Sequence, residues 1–305
     1  MLSYALRRIF GAVPTLFVII TLAFFLIRIA PGGPFDGDRP LPAEIKANIE
    51  KVYHLDEPLP VQYGRYLANI LQGDFGPSFR YRDYSVNDLI YQGFPYSLAI
   101  GFAAILIAFT LGTFTGIMAA LKQNTMIDFS IMGLAMTGIT IPNFVVAPLL
   151  IMLFSLALHW FPVGGVTGKV WFILPIITLA LPPTAYIARL TRGSMIEVLR
   201  SNYIRTARAK GMPESIVLSR HALKAALLPV VSYLGPAIAG IITGSIVIEQ
   251  IFSIPGIGRY FVQGALNRDY LLVMGIVVFY GSLIIALNLL VDIAYGFLDP
   301  RVRYE

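Results

Sequence analysis

The sequence predicts an all-α, polytopic membrane protein with six transmembrane helices and a small folded insert between the first two. Three observations lead there. Hydrophobic residues make up 57% of the 305-residue chain and charged residues 13%, about half the roughly 25% of a soluble domain. Apolar runs of about 20 residues, enough to cross a bilayer as a helix, recur along the chain. Most charges are gathered in two connections instead of being spread through those runs. The apolar excess excludes disorder, and the absence of cysteine excludes a disulfide framework, a thiolate metal site and a thiol nucleophile.

The first run is Ile9 to Ile29. Arg28 lies close enough to its end to snorkel into the headgroups. Arg7 and Arg8 precede it as they would in a secretory leader, but the run is longer than a leader core and Arg28-Ile29-Ala30-Pro31 lacks an Ala-x-Ala pattern, so a retained span is expected. The second run, Tyr96 to Leu121, carries no charge. The third, Phe129 to Phe161, is too long for one straight span and contains Pro142 and Pro148, which predicts a kinked or broken helix. Val170 to Ala188, Ala225 to Ile248 and Leu271 to Val291 complete the set.

Charge sets the orientation. The connection from Arg189 to Lys224 holds Arg189, Arg192, Arg200, Arg205, Arg208, Lys210, Arg220 and Lys224 against Glu197 and Glu214, which predicts a cytoplasmic loop. Six spans then put Arg7, Arg8, Arg301 and Arg303 on the same side. The segment from Ala30 to Pro95, with nine acids and six bases, falls outside. It is too long for a plain loop. Within it, Pro42 to Tyr53 and Pro60 to Leu71 read as short helices, the second with Tyr63, Leu67 and Ile70 on one face and a stop at Gly73. Ser85-Val-Asn-Asp88 reads as the capping box of a third. The chain thus divides into residues 1–29, an external insert 30–95, a helical body 96–294 containing the loop 189–224, and a cytoplasmic tail 295–305.

The chemistry missing from the chain narrows its function. A phosphate-binding loop needs Gly-x4-Gly-Lys-Ser/Thr. The nearest approach, Gly164 to Lys169, has the wrong spacing and Val170 in place of the hydroxyl, so no ATP hydrolysis is expected. There is no Gly-x-Ser-x-Gly, and His54, His159 and His221 lie outside the runs or at their edges, which argues against a serine hydrolase. The second, third and fifth runs hold no Asp, Glu, Lys or Arg, and Asp292 lies at the end of the sixth, where an interfacial role is expected. Ion-coupled transport and voltage sensing are therefore disfavoured. No metal ligand set, bound cofactor or nucleic-acid contact is expected.

Gly112-x3-Gly116 and Gly240-x3-Gly244 are spaced for close helix packing, within the chain or against another subunit. Asn143, Thr137, Thr140 and Tyr233 are polar residues in the runs. Residues Ser194 to Lys210 have helical periodicity with Ile196, Leu199, Tyr203 and Ala207 on one face and Ser201, Arg205 and Arg208 on the other. Gly211-Met-Pro213 ends that helix. A short, basic, two-faced helix suits either a partner's groove or an anionic lipid surface.

The stretch Arg205-Thr206-Ala207-x3-Gly211, followed by His221-Ala-Leu223-Lys224, resembles the EAA loop (EAA-x3-G-x9-I-x-L-P) of permease subunits of bacterial ATP-binding-cassette importers. Ala207, Gly211 and Leu223 fit the pattern. Arg205 and Thr206 replace its Glu and Ala, His221 its Ile, and Lys224 its Pro. Other segments extend the resemblance from end to end: MLSYALRRIFGAVPTLFVI, GDFGPSF, SNYIRTARAKG, VIEQIFSIPGIGRYFVQGALNRDY and DPRVRY are similar to B-type permeases of peptide importers. RYRDYSVNDL, GLAMTG and ALNRDY point to the oligopeptide branch, with dipeptide and nickel permeases as alternatives.

The resemblance implies the MetI-like fold of type I importers and a heterodimer with a second permease subunit. It also implies two ATPase subunits that carry ATP and Mg, and a periplasmic peptide-binding protein that delivers peptide. Ser201, Arg205, Thr206, Ala207, Arg208 and Gly211 would form the ATPase-coupling helix. Glu249, Phe252, Pro255, Gly256 and Gly258 would form an outer turn between the last two spans, structural in role. Asp299-Pro300-Arg301 would be a terminal anchor.

Overall fold

A computed structural model describes residues 2–29, 33, 35, 50–81, 83–168 and 170–298, with side-chain surroundings at all of these except 2–9, 243–244 and 292–298. The expected helix from Pro42 to Tyr53 lies mostly outside the described residues, as do the terminal anchor at Asp299 to Arg301 and the surroundings of Gly244 and Asp292. Among the described residues the chain is helical, with one isolated antiparallel bridge between Pro77 and Ser85.

The helices are α1 (Leu2–Ile29), α2 (Leu59–Leu71), α3 (Val86–Leu121), α4 (Met126–Thr140), α5 (Asn143–Leu150), α6 (Ile173–Leu199), α7 (Asn202–Ala209), α8 (Leu228–Gly244), α9 (Ile246–Ile251), α10 (Ile257–Leu266) and α11 (Tyr270–Leu298). Five stretches are long and apolar enough to cross a membrane: Phe10–Ile29, Val86–Leu121, Ile173–Leu199, Leu228–Ile251 and Tyr270–Val291. A sixth crossing is built from α4 and the helix that begins at Asn143, bent by 102°. The break falls at Ile141-Pro142, where the backbone turns extended. Its two halves follow the whole of α6. Asp128 at the start of α4 pairs with Arg192, Gly138 packs on the Leu181 carbonyl, and Ala147 and Phe154 pack around Leu174. The interrupted pair therefore traverses the bundle once. The π-wound turns Ile151–Ala157 follow Pro148, which withholds an N–H from the helix.

Several helices run differently from the sequence reading. The capping box exists: the Ser85 hydroxyl accepts from the Asp88 N–H at 3.1 Å, and Asp88 accepts the Ser85 N–H at 3.0 Å. It starts no separate short helix, however, because α3 runs unbroken from Val86 through Pro95 to Leu121. Proline removes one N–H and does not stop a helix held on other faces. The fourth span begins at Ile173 and continues past Ala188 to Leu199, so Arg189 and Arg192 stand on a helix and not in a loop. Arg28 turns inward instead of snorkelling. Its guanidinium carbon sits 3.5 Å from the Phe24 ring centroid, and Nη2 donates to Gln62 Oε1 at 3.1 Å.

The bundle is layered on α3 and α6. A β-carbon at Gly112 would meet the Thr184 carbonyl at 2.7 Å, and one at Gly116 would meet the Ala188 carbonyl at 2.5 Å. These glycines bring α3 against α6 within the chain. Gly240 has open space around its Cα. Gly116→Val should therefore cost about 1–3 kcal/mol or more by overpacking, read as a lower unfolding temperature of the detergent-solubilised protein. Gly133→Val, where nothing lies within 4 Å, should leave that temperature nearly unchanged.

At the opposite end from Arg192 the insert is bolted down by Asp269, which is fully buried. Its carboxylate accepts the Ser78 hydroxyl at 2.5 Å, the Phe79 and Arg80 N–H groups at 3.1 and 3.3 Å, and the Leu272 N–H at 3.2 Å. Helix α2 lays Tyr63, Tyr66, Leu67 and Ile70 on α1 and α11. Asp269→Ala orphans the Ser78 hydroxyl and the Phe79 and Leu272 N–H groups, at about 1–3 kcal/mol each, and leaves the Arg80 N–H only Ser78 Oγ at 3.2 Å. Hydrogen exchange at Phe79 and Arg80 should rise by at least tenfold while the spans stay protected.

Candidate functional site

Two assemblies stand out, one at each end of the bundle. At the basic end, α6 stops at Leu199, and Arg200 and Ser201 turn the chain into α7. The sequence reading of one helix from Ser194 to Lys210 is thus corrected, and the break resets which residues face inward. Ile204 and Ala207 are buried, whereas Tyr203 is 47% exposed. Ser201 has the extended backbone of an N-cap, but its hydroxyl donates to the Val198 carbonyl at 2.6 Å. Gly211 adopts φ +75 and closes the helix, its N–H donating to the Arg208 carbonyl at 2.9 Å. That left-handed conformation favours glycine.

Beneath α7 lies a small apolar core of Ala120, Met195, Ile204, Ala207, Val217, Ala222 and Ala226. It joins the ends of α3 and α6 to the helical run over 214–226 that leads into α8. Three polar clamps surround it. Arg200 Nη2 donates to Gln123 Oε1 at 3.1 Å. Arg208 holds Glu214 through two bonds of 3.1 and 2.5 Å, and that guanidinium keeps the Glu214 carboxyl below the usual carboxylate range while Glu214 raises Arg208. Arg192 grips the buried Asp128 at 2.6 and 2.7 Å, fixing the start of α4 to α6. The outward face of α7 shows Tyr203, Arg205, Thr206, Arg208 and Lys210. A displacement of this helix must pass into α3, α6 and α8, because close-packed interiors transmit strain.

At the insert end, the segment read as an outer turn is a buried helical hairpin of α9 and α10. Span five does not end at Ile248: its apolar stretch continues to Ile251 and so includes Glu249, which has no solvent exposure. The reading of a charge-free fifth span is corrected accordingly. Glu249 Oε1 bonds the Ser245 hydroxyl, and Oε2 accepts the Gly258 N–H at 2.8 Å. Ser97 on α3 accepts the Ile257 N–H at 3.0 Å. A β-carbon at Gly256 would overlap the Glu249 carboxylate and come within 2.6 Å of Ser97 Oγ, and one at Gly258 would meet Ile246 Cα at 2.5 Å. Phe252 is buried in the main core, its carbonyl accepting the Gly165 N–H at 2.7 Å. Pro255 is half-buried between Ile254 and Gly256. The glycines of this motif thus serve close approach, and Glu249 is the knot between the two arms.

Of the polar span residues, Asn143 and Tyr233 line one mid-bundle cavity with Tyr186. Thr137 and Thr140 are exposed and bond carbonyls of their own helix, Leu134 and Met136. No cluster of three metal-ligating side chains occurs among the described residues.

Comparison with known proteins agrees with this architecture. The family described as "Binding-protein-dependent transport system inner membrane component" matches residues 112–304, and its N-terminal counterpart matches residues 1–101. The "Oligopeptide transport system permease protein OppB" of Escherichia coli (strain K12) is 57% identical over all of both chains. The protein of that name from Haemophilus influenzae is 52% identical over all of both chains. The "Dipeptide transport system permease protein DppB" of Bacillus subtilis (strain 168) is 46% identical, covering 99% of this chain and 98% of its own. Two solved structures share the fold. An inward-facing MetNI methionine ABC transporter chain gives a TM-score of 0.52 at 17% identity, covering 69% of this chain and 94% of its own. An amino acid ABC transporter chain solved with histidines gives 0.55 at 18%, covering 68% and 94%. With its interrupted six-span bundle and matches along nearly its whole length, the chain belongs to the family of binding-protein-dependent transport system membrane components, the permeases of ABC importers.

Proposed function

We propose that this chain is one of two different permease subunits of an ATP-driven importer that carries oligopeptides across the bacterial inner membrane by alternating access. The basic end, with both termini, faces the cytoplasm, as the arginine and lysine distribution requires. Two separate ATPase subunits supply ATP and Mg, and a periplasmic binding protein delivers peptide over the insert. The observation that carries this reading is α7: a helix seated by Ile204 and Ala207 whose opposite, basic face is exposed, with Arg208 held by Glu214 and Tyr203, Arg205 and Lys210 turned to the surface. A surface built to receive force needs a partner to supply it, because a machine is driven only by differential interaction with its two states.

Dipeptide import is the second reading, favoured by the full-length similarity to a dipeptide permease. Native mass measurement of the complex purified through this chain tests the assembly. One copy of this chain, one different permease and two ATPases are expected, whereas a homo-oligomer without ATPases would refute it. Competition between di-, tri- and pentapeptides for uptake separates the two substrate classes.

A further inference from the structure

A cavity of about 370 Å³ lies where the α4–α5 pair breaks, between that break, α6 and α8. It is large enough for part of a small ligand. No acid or base lines it among the described residues. Its walls nevertheless carry polar capacity that the chain leaves unused. Asn143 opens α5, and its Oδ1 is buried without a hydrogen-bond partner. Pro182 and Pro183 in α6 and Pro236 in α8 also line the cavity, each removing one N–H from its helix there. The rings of Tyr186 and Tyr233 stack at 4.4 Å on its rim. Gly240 leaves its wall open. Interrupted helices at mid-span are where transporters place their binding sites.

Resting on the peptide-import reading, we propose that this cavity is a substrate subsite for the main chain of a translocating peptide. Asn143 Oδ1 accepts a peptide N–H, and the Tyr186–Tyr233 pair packs along the peptide. A helix of a neighbouring subunit fits the chemistry poorly, since its own N–H groups are already paired. An extended peptide brings free ones. The neutral lining makes the subsite indifferent to side-chain charge, because it offers no ion to pair with or repel.

The test uses the assembled complex in proteoliposomes with its binding protein and a labelled tripeptide. Asn143→Leu should raise the half-saturating peptide concentration about tenfold while the complex keeps its subunit composition. Asn143→Ser, which retains an acceptor, should stay within about threefold of wild type. A tripeptide carrying benzoylphenylalanine should label residues 139–143 or 233–241 on illumination. Unchanged half-saturation in Asn143→Leu, labelling confined to other helices, or loss of the second permease from that variant would overturn the subsite; the last would assign the cavity to a subunit interface. Failure of the wild-type complex to accumulate any peptide would instead overturn the import reading itself.

Discussion

Ala207→Asp should abolish ATP-driven uptake and strip the ATPase subunits from the purified complex. Ala207 is 5% exposed and packs with Met195, Ile204 and Val217, so a carboxylate there has no cation to meet. An uncompensated charge in such a core costs about 3–5 kcal/mol, enough to lift α7 from its seat. The six-span body meets this small core only at the ends of α3 and α6 and at the run leading into α8, and should still insert and pack. Arg205→Glu separates seating from docking. Arg205 is exposed, so its replacement should change stability by no more than about 0.5 kcal/mol while weakening ATPase association by about tenfold or more. Gly211→Asp acts by a third route, straining a backbone at φ +75. Subunit composition by native mass spectrometry and uptake in proteoliposomes read all three. Full uptake in both Ala207→Asp and Gly211→Asp would contradict the coupling role of α7.

Glu249→Leu should be the most damaging substitution within the spans. It leaves the Gly258 N–H without a partner, about 1–3 kcal/mol for an orphaned buried group, and leaves the Ser245 hydroxyl only the Ile242 carbonyl at 3.5 Å, in a site with no solvent exposure. Gly256→Val should be comparably severe, since its side chain would occupy the space of the carboxylate. Glu249→Gln keeps an oxygen for Gly258 and an amide for Ser245 and should retain most of the stability. The contrast between Leu and Gln, read as unfolding temperature in detergent and as membrane-inserted yield, identifies the hydrogen bonds as the cause. Equal loss in both variants would show that the charge itself is needed.

Much of this was legible along the chain because it depends on neighbours in sequence. The runs, the capping box at Ser85 and Asp88, the Tyr63–Leu67–Ile70 face of α2 and the stop at Gly211 all follow from local spacing. What stayed hidden depends on packing. Ser201-Asn202 is the one local hint of a break, an N-cap residue type followed by Asn, but periodicity runs across it and carries the inward face through Tyr203 when Ile204 occupies it. Glu249 looked like the first residue of a turn because it ends an apolar run; its burial comes from Ser97 and Gly258, distant on other helices. Asn143 and Tyr233 were visible only as polar letters in apolar runs, and the bend at Pro142 is what brings them together with Tyr186. The signal that could have found Glu249 is its spacing from Ser245, one helical turn earlier, which lets a hydroxyl cover a carboxylate inside a span.

On the proposed reading, this bundle moves substrate only when force enters through α7. Proteoliposomes containing the whole complex should accumulate labelled oligopeptide against its gradient with ATP, and those containing this chain alone should not accumulate it under ATP or a pH gradient. Concentrative uptake by the chain alone would contradict the account.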